Sequence, residues 1–519
     1  MALKRLFAAT ASRLLPHADV VNHAGGVAYT YGPEAKLAQL AATGSLSDGF
    51  YSGAEAQLAD VLAAAADVSP EFVAKAAVYA RKSGAMKDMP ALLTAYLTTA
   101  DPDLAVRVFR RVIDNGRMLR TFVQIMRSGQ VERRSLGSRP KRLVREWLEA
   151  ASMPSLMAAA TGNDPSLADI VRMVHSAPAS AERRAFYGWL IGKPYDLAAL
   201  PAEIAAFEAW KRDTSLPLPL PLPPVPFEWL TSHSLSPEQW GELAGRMGWQ
   251  ALRMNLNTLA RSGAFLVPGV SGTVAKRLGD AEALSRARVM PYQLMVAMGQ
   301  VGDGVPLEVQ GALEKALEAS LAKVPVLAGN VVVCPDVSGS MSSPVTGYRK
   351  GASSKVRCID VAALVAAALL RGNRQARVLP FECSVVSLKL DPKARVAVNA
   401  AKLAGVGGGG TNVSAPLALL NRERARVDTV VIVSDNESWV DPSRSGATAT
   451  MDEWNRLKAR NPGAKLICID IAPYGTTQAE SRSDILNVGG FTDAVFGAIA
   501  RFASGQTRDW VEIVNETEV

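Results

Sequence analysis

The sequence predicts a multidomain protein of α plus α/β class, with a helical repeat region over residues 1–328 and a parallel-sheet domain over 329–519. Three observations predict it. The chain has 519 residues, more than one ordinary domain holds. Its first part reads as helix after helix, with apolar positions at three- and four-residue spacing. After Gly329, short β-branched apolar runs alternate with helical segments, the pattern of a sheet covered on both faces. Hydrophobic residues make up 48% and charged residues 20%, a globular balance far from disorder.

The helical region contains candidate helices at Ala54–Ala66, Pro70–Ser83, Met89–Thr99, Leu104–Asn115, Arg117–Ser128, Pro140–Ala151 and Ser166–Ser176. Ser69-Pro70 and Asp88-Met89-Pro90 are helix starts, each a cap residue before an early proline. Short helices with short connections suggest HEAT-like pairs, although no strict repeat is visible. Residues 214–226, TSLPLPLPLPPVP, hold six prolines and exclude a helix. They are expected to form an extended spacer strapped across the helical region. Helices resume at Ser236–Met247 and Ala251–Ser262 and continue to about Lys323.

In the C-terminal domain the expected strands are the runs Asn330–Asp336, Ala376–Leu388, Thr429–Asp435 and Lys465–Ala472. The expected helices are Lys355–Arg371, Ser414–Glu423, Met451–Arg460 and Phe491–Ala503.

Charge is uneven. The chain carries a net +8. Between Arg107 and Arg145 stand eleven arginines and one lysine against Asp114 and Glu132. Such a stripe is either a solvated helical face or a phosphate-binding surface. The excess of arginine favours phosphate, because its planar fork binds oxygens in pairs. Within or near the stripe, Arg120, Arg127, Arg133, Arg134 and Arg139 are candidate RNA contacts on charge alone. No apolar run is long enough to cross a membrane, and no clear leader-cleavage pattern follows Met1. Cys334, Cys358, Cys383 and Cys468 show no CxxC spacing, which suits a reducing cytoplasm.

One constellation carries chemistry. Asp336-Val-Ser338-Gly-Ser340-Met341 follows an apolar strand, Gly407–Gly410 precede Thr411, and Asp435 ends another strand. Ligands in such sheets bind at the carboxyl ends of strands. Asp336, Ser338, Ser340, Thr411 and Asp435 form an all-oxygen set suited to a hard divalent cation, Mg²⁺ above all. The site is not expected to be catalytic: no general base or Cys/His pair accompanies the motif. His17, His23, His175 and His233 are all expected in the helical region.

This pattern looks like the metal-ion-dependent adhesion site of a von Willebrand factor A domain. The whole chain resembles the Ro autoantigen, or TROVE-domain, family and its bacterial relatives. The resemblance rests on VVVCPDVSGSM (331–341), GGGGTNVSAPL (407–417), VVIVSDNESWV (430–440) and DILNVGGFTDAVFGAIARF (484–502). In the helical region it rests on GSRPKRLVREW (137–147), DIVRMVHSAP (169–178), WQALRMNLNTLA (249–260) and SRARVMPYQLMVAM (285–298). It implies a ring of HEAT-like repeats and a cytoplasmic, monomeric, non-catalytic RNA-binding protein. The partners it implies are small structured Y-like RNA on the outer ring surface, single-stranded ends of misfolded RNA in the hole, and an exoribonuclease such as polynucleotide phosphorylase. Lys141, Arg142, His175 and Lys87 match family positions that meet RNA. Cys334-Pro335 before Asp336 departs from the family and threatens the strand end. A competing expectation is a protein-only adaptor that works beside a MoxR-type ATPase and grips a partner's carboxylate at Asp336.

Overall fold

The computed structural model describes residues 17–43, 54–132, 134–213, 221–289, 291–321, 324–345, 356–439, 447–472, 475–490 and 493–519. The chain divides into two compact units, Ala91–Ser320 and the combination of Met1–Pro90 with Leu321–Val519. The units therefore do not follow a break at 328/329: the first ninety residues join the sheet domain.

The Ala91–Ser320 unit is a mostly helical, repeat-like succession. Its helices begin where the sequence supplies caps. Asp101 caps Pro102–Val112, Asn115 caps Gly116–Ser128, and Ser166 forms a capping box with Asp169 at Leu167–Val174. Apolar stripes bury Phe109, Phe122 and Trp147, and the Trp147 indole donates to the Ile113 carbonyl at 2.7 Å. The expected helix Ala251–Ser262 is two helices, Trp249–Met254 and Leu256–Arg261, because Asn255 leaves the helical path between them. Of the proline-rich segment, residues 214–220 lie outside the described residues. Beyond them, Leu222 donates to the Glu242 carboxylate and Arg246 to the Pro223 carbonyl, strapping this stretch onto Pro237–Arg246.

The other unit is built on a parallel sheet. Its strands are β3 (Val331–Pro335), β4 (Arg377–Val378), β5 (Thr429–Ser434), β6 (Lys465–Asp470) and β8 (Ile485–Gly489), in the order β4-β3-β5-β6-β8. Every pairing in it is parallel. One face packs Val332, Val430, Ile432 and Leu466 against Leu417, Met451 and Trp454. Helix Cys358–Gly372 covers the other face and is buried over nearly its whole length. The chain turns back at β3, which places the ends of β3 and β5 at the switch point of the sheet.

Two expectations need correction. The strand expected at Ala376–Leu388 is only Arg377–Val378, because Pro335 on β3 has no N–H to donate to the Leu379 carbonyl and interrupts the ladder. Pairing resumes only as isolated contacts, Phe381 N–H to Pro335 O at 3.1 Å and Val337 N–H to Phe381 O at 2.8 Å. Pro335 nevertheless leaves β3 intact and in register with Val433.

The N-terminal residues add elements that their sequence does not announce. β1 (Val20–Val21) and β2 (Val27–Thr30) form an antiparallel hairpin, and β2 pairs with β7 (Thr476–Thr477). Helix Pro33–Thr43 packs beside β8, and the Trp510 indole donates to the Tyr79 hydroxyl at 3.0 Å.

Candidate metal centre and RNA surface

Asp336 emerges directly from β3. Its N–H donates to the Val433 carbonyl at 2.9 Å, which fixes its backbone to the end of β5. Its carboxylate accepts from the Ser338 N–H at 2.8 Å and from the Ser434 hydroxyl at 2.6 Å. The Thr411 hydroxyl donates to Ser338 Oγ at 3.0 Å, and Ser338 Oγ lies 3.3 Å from Ser340 Oγ. Asp435 is hydrogen-bonded by Ser340. The five predicted donors are thus brought together, and all are buried.

The glycine run is a steric requirement at one position above all. Gly407 has φ +93°, and a Cβ there would stand 2.1 Å from the Val337 carbonyl oxygen. This close approach lets Gly408 N–H reach Val337 O at 2.9 Å and Gly339 N–H reach Gly409 O at 2.8 Å, lacing the two loops together.

The electrostatics fit a cation. Asp336 is 0% and Asp435 4% exposed. Burial first, and then the charge of Asp435, push the Asp336 carboxyl up; burial also raises Asp435. Two buried carboxyls facing hydroxyls need a proton or a cation, and oxygen-only donors suit a hard ion. Among the described residues no group of three His, Cys, Asp or Glu side chains could hold a metal, so the hydroxyls are indispensable to such a site.

Behind this set lies a layer that the motif alone does not reveal. Burial pushes Glu437 to about 8 and Asp470 to about 7, and both are further raised by Asp435. Glu437 is fully buried and accepts from the Ala24 N–H at 3.1 Å. Asn22 Nδ2 donates to the Ser438 carbonyl at 2.8 Å, and Asn22 Oδ1 accepts from the Gly26 N–H at 2.7 Å. Ser438 Oγ accepts from the Val413 N–H at 3.2 Å and donates to the Thr411 carbonyl at 3.3 Å. The N-terminal hairpin therefore holds the loop that joins the Asp435 and Thr411 arms of the site. It also corrects the placement of the histidines in the helical region: His23 belongs to the same compact unit as the Asp336 cluster, and its backbone N–H bonds to Glu437.

In the helical unit, Lys141 and Arg142 lie on helix Ser138–Ala150, Lys141 half-buried and Arg142 exposed in an i,i+4 pair with Glu146. Arg145, on the same helix, donates to the Val174 carbonyl at 2.5 Å, which brings this helix to His175. His175 closes helix Leu167–Val174 at φ +50°, ψ +55°, with its side chain exposed. It is both a left-handed cap and an available imidazole. Arg127 and Arg134 are exposed, and Arg139 pairs with Asp103 at 3.4 Å. Arg120 differs: it is half-buried, donates to the Ala159 carbonyl at 2.9 Å and lies against Gly162. Arg133 lies outside the described residues. Lys87 is exposed just before helix Asp88–Ala100, in the other compact unit.

Residues 330–503 match the family described as the Ro60 vWA domain. The RNA-binding protein RO60 of Deinococcus radiodurans is 26% identical over 531 aligned residues, covering 95% of this chain and 96% of that one. The crystal structure of the D. radiodurans RO (RSR) protein superposes with a TM-score of 0.63 at 22% identity, covering 92% of this chain and 100% of that one. Along most of its length the chain is thus similar to a Ro protein, and over residues 330–503 to the Ro60 vWA family. The RNA-binding protein RO60 of Caenorhabditis elegans is 24% identical over 273 residues, covering 50% of this chain and 41% of that one.

In this chain the sequence motif named the five clustered oxygen groups but not the residues that hold them. Ser434 and Glu437 sit inside the run VVIVSDNESWV, so their positions were visible and their roles were not. Asn22, Ala24 and Gly26 gave only a turn signal, His-Ala-Gly-Gly before a β-branched run. Their partner loop is more than 400 residues away in sequence.

Proposed function

We propose that this chain is a non-catalytic RNA-binding protein. Its helical region takes small structured, Y-like RNA on the surface around Ser138–Ala150 and His175. The ring implied by the family resemblance admits single-stranded RNA ends. The observation that carries the reading is the exposed arginine-rich surface of the helical unit, in a chain whose curated relatives are named RNA-binding proteins. Asp336, Ser338, Ser340, Thr411 and Asp435 would hold a divalent cation such as Mg²⁺, which when bound supplies a Lewis-acidic point for a carboxylate of a protein partner. An exoribonuclease such as polynucleotide phosphorylase is the partner class that suits RNA processing in the cytoplasm.

The test is recovery and sequencing of RNA that copurifies from the host after a stringent salt wash, followed by mobility-shift titration. One abundant small structured RNA is expected, with affinity reduced at least tenfold by Lys141→Glu with Arg142→Glu and spared by Asp336→Ala. Copurification of no RNA, with a protein partner lost on Asp336→Ala, would instead favour an adaptor acting with a MoxR-type ATPase.

A further inference from the structure

In a parallel α/β sheet the connecting helices end, and the strands begin, at one edge. In this domain that edge lies opposite the Asp336 site, and cations crowd it. Helix Cys358–Gly372 ends with Arg371 and is followed by Arg374 and Arg377. Helix Ala415–Arg422 is followed by Arg424 and Arg426, and Ala449–Arg460 ends the next crossover.

Hydrogen bonds and ion pairs join these segments into one surface. Arg377 forms a two-pronged pair with Glu423, its Nη2 at 3.0 Å from Oε1. Arg460 donates to Asn421 Oδ1, and Asn461 Nδ2 donates to the Ala425 carbonyl at 3.3 Å. Arg371 Nη1 donates to the Lys393 carbonyl at 2.9 Å, which adds Lys393 and Arg395 to the edge. All of these cations are exposed. The acids beside them are engaged: Glu423 by Arg377, Asp428 by both N–H groups of Asn330, and Asp391 by the Lys393 N–H.

Complementing helix dipoles accounts for Arg371, Arg422 and Arg460, which stand in last turns. It does not account for Arg374, Arg395, Arg424 or Arg426, which lie outside the helices. Arg424 even occupies a left-handed conformation, φ +53°, where glycine or asparagine would sit at lower cost. The chain's net charge is only +8, and the Arg107–Arg145 stripe alone supplies that surplus, so this second concentration is segregation rather than overall basicity. Exposed large apolar side chains are scarce there: among the described residues Val326, set beside Asn373 by the bonds of Pro325 and Leu327, and Val398 lie nearby, two single valines that make neither a membrane-inserting face nor an apolar protein interface. Arginine without an apolar centre suits phosphate oxygens.

We propose that this edge of the sheet domain is a second RNA-binding surface, one that grips the phosphate backbone without reading bases. It goes beyond the helical surface proposed above and does not depend on Lys141 or Arg142. The test is fluorescence-anisotropy titration of the full chain with a mixed-sequence duplex RNA of about thirty base pairs, across a series of salt concentrations. The test variant is Arg374→Glu, Arg424→Glu and Arg426→Glu; Arg377 is left alone because it pairs with Glu423. A fold check by thermal unfolding accompanies each titration. Every phosphate that the variant no longer neutralises should lower the slope of log affinity against log salt by about 0.9, so a decrease of roughly two to three and at least tenfold weaker binding at low salt are expected. The same decrease should appear when Lys141 and Arg142 are already reversed. The charge control is Lys276→Glu, Lys315→Glu and Lys402→Glu, exposed cations outside both basic surfaces. An unchanged slope in the test variant overturns the proposal, as does an equal fall in the control. Full RNA affinity with loss of an acidic protein partner would also overturn it.

Discussion

Adding one methyl group to the N-terminal hairpin, Gly26→Ala, should loosen a loop on the far side of the sequence. A Cβ at Gly26 would stand 2.0 Å from the Ser438 carbonyl oxygen and 3.1 Å from Trp439 Cα. Both are backbone atoms, so no side chain can swing away. The hairpin must lift by about 1 Å to restore van der Waals contact, the scale at which close-packed interiors fail to adjust. Lifting breaks Asn22 Nδ2 to Ser438 O at 2.8 Å and Ala24 N–H to Glu437 at 3.1 Å. Two hydrogen bonds at about 1 kcal/mol each, plus overpacking of about 1–3 kcal/mol, oppose a gain of up to about 1 kcal/mol from the stiffer unfolded chain. The net destabilisation is about 2–5 kcal/mol, or roughly 4–20 °C in Tm for a domain of this size. Thermal unfolding with amide hydrogen exchange checks it, and exchange should quicken at residues 436–439 and 411–413. Gly25→Ala, where no atom lies within 4 Å of the added Cβ and φ is +86°, separates backbone strain from the clash. A Gly26→Ala protein with native Tm and native protection would refute the view that the hairpin bears on that loop.

Three further outcomes are expected. His175→Asn should match the native stability while His175→Val loses about 1 kcal/mol, because asparagine tolerates the left-handed cap and valine does not; RNA affinity lowered equally in both would identify the imidazole as the contact. Trp147→Phe should cost about 1–2 kcal/mol by urea unfolding, since it strands the buried Ile113 carbonyl. Asp484 is pushed up by burial, but Arg482 and the Trp454 indole outweigh this and hold it below its ordinary value. Its stabilising share is therefore present above about pH 4 and fades as pH falls through the lowered pKa. Asp484→Asn should lower Tm at pH 7, and the gap from the native protein should close on acidification.

Much of this was legible because it is local. A serine before a proline marks a helix start, and Ser69 does accept from the Phe72 N–H at 3.2 Å. The clustering of the oxygen groups was legible because three of them fall within five residues after one strand, and the rest follow a glycine run and a second strand. The strand expected over Ala376–Leu388 failed where Pro335 on the neighbouring strand withdraws one donor from the ladder, a partner that composition within the segment does not reveal. The long helix over Ala251–Ser262 failed because apolar spacing continues through Asn255 while the backbone does not. The partnership of the hairpin with Glu437 and the assembly of the basic edge of the sheet could not be read. Each is made by segments distant in sequence, and periodicity carries no information about which distant segments meet.

The joining of Met1–Pro90 to Leu321–Val519 has a consequence for synthesis. β2 is translated at residues 27–30, but its partner β7 follows only at 476–477. At ribosomal speeds of about 5–20 residues per second, the nascent strand waits roughly half a minute or more for its mate. All of the Ala91–Ser320 unit leaves the ribosome in that interval and can fold while β2, paired only with β1, keeps its other edge open to wrong neighbours. Any fragment begun near residue 330 to isolate the sheet domain would lack the hairpin, and would present the Asp435–Ser438 loop without the amides that hold Glu437.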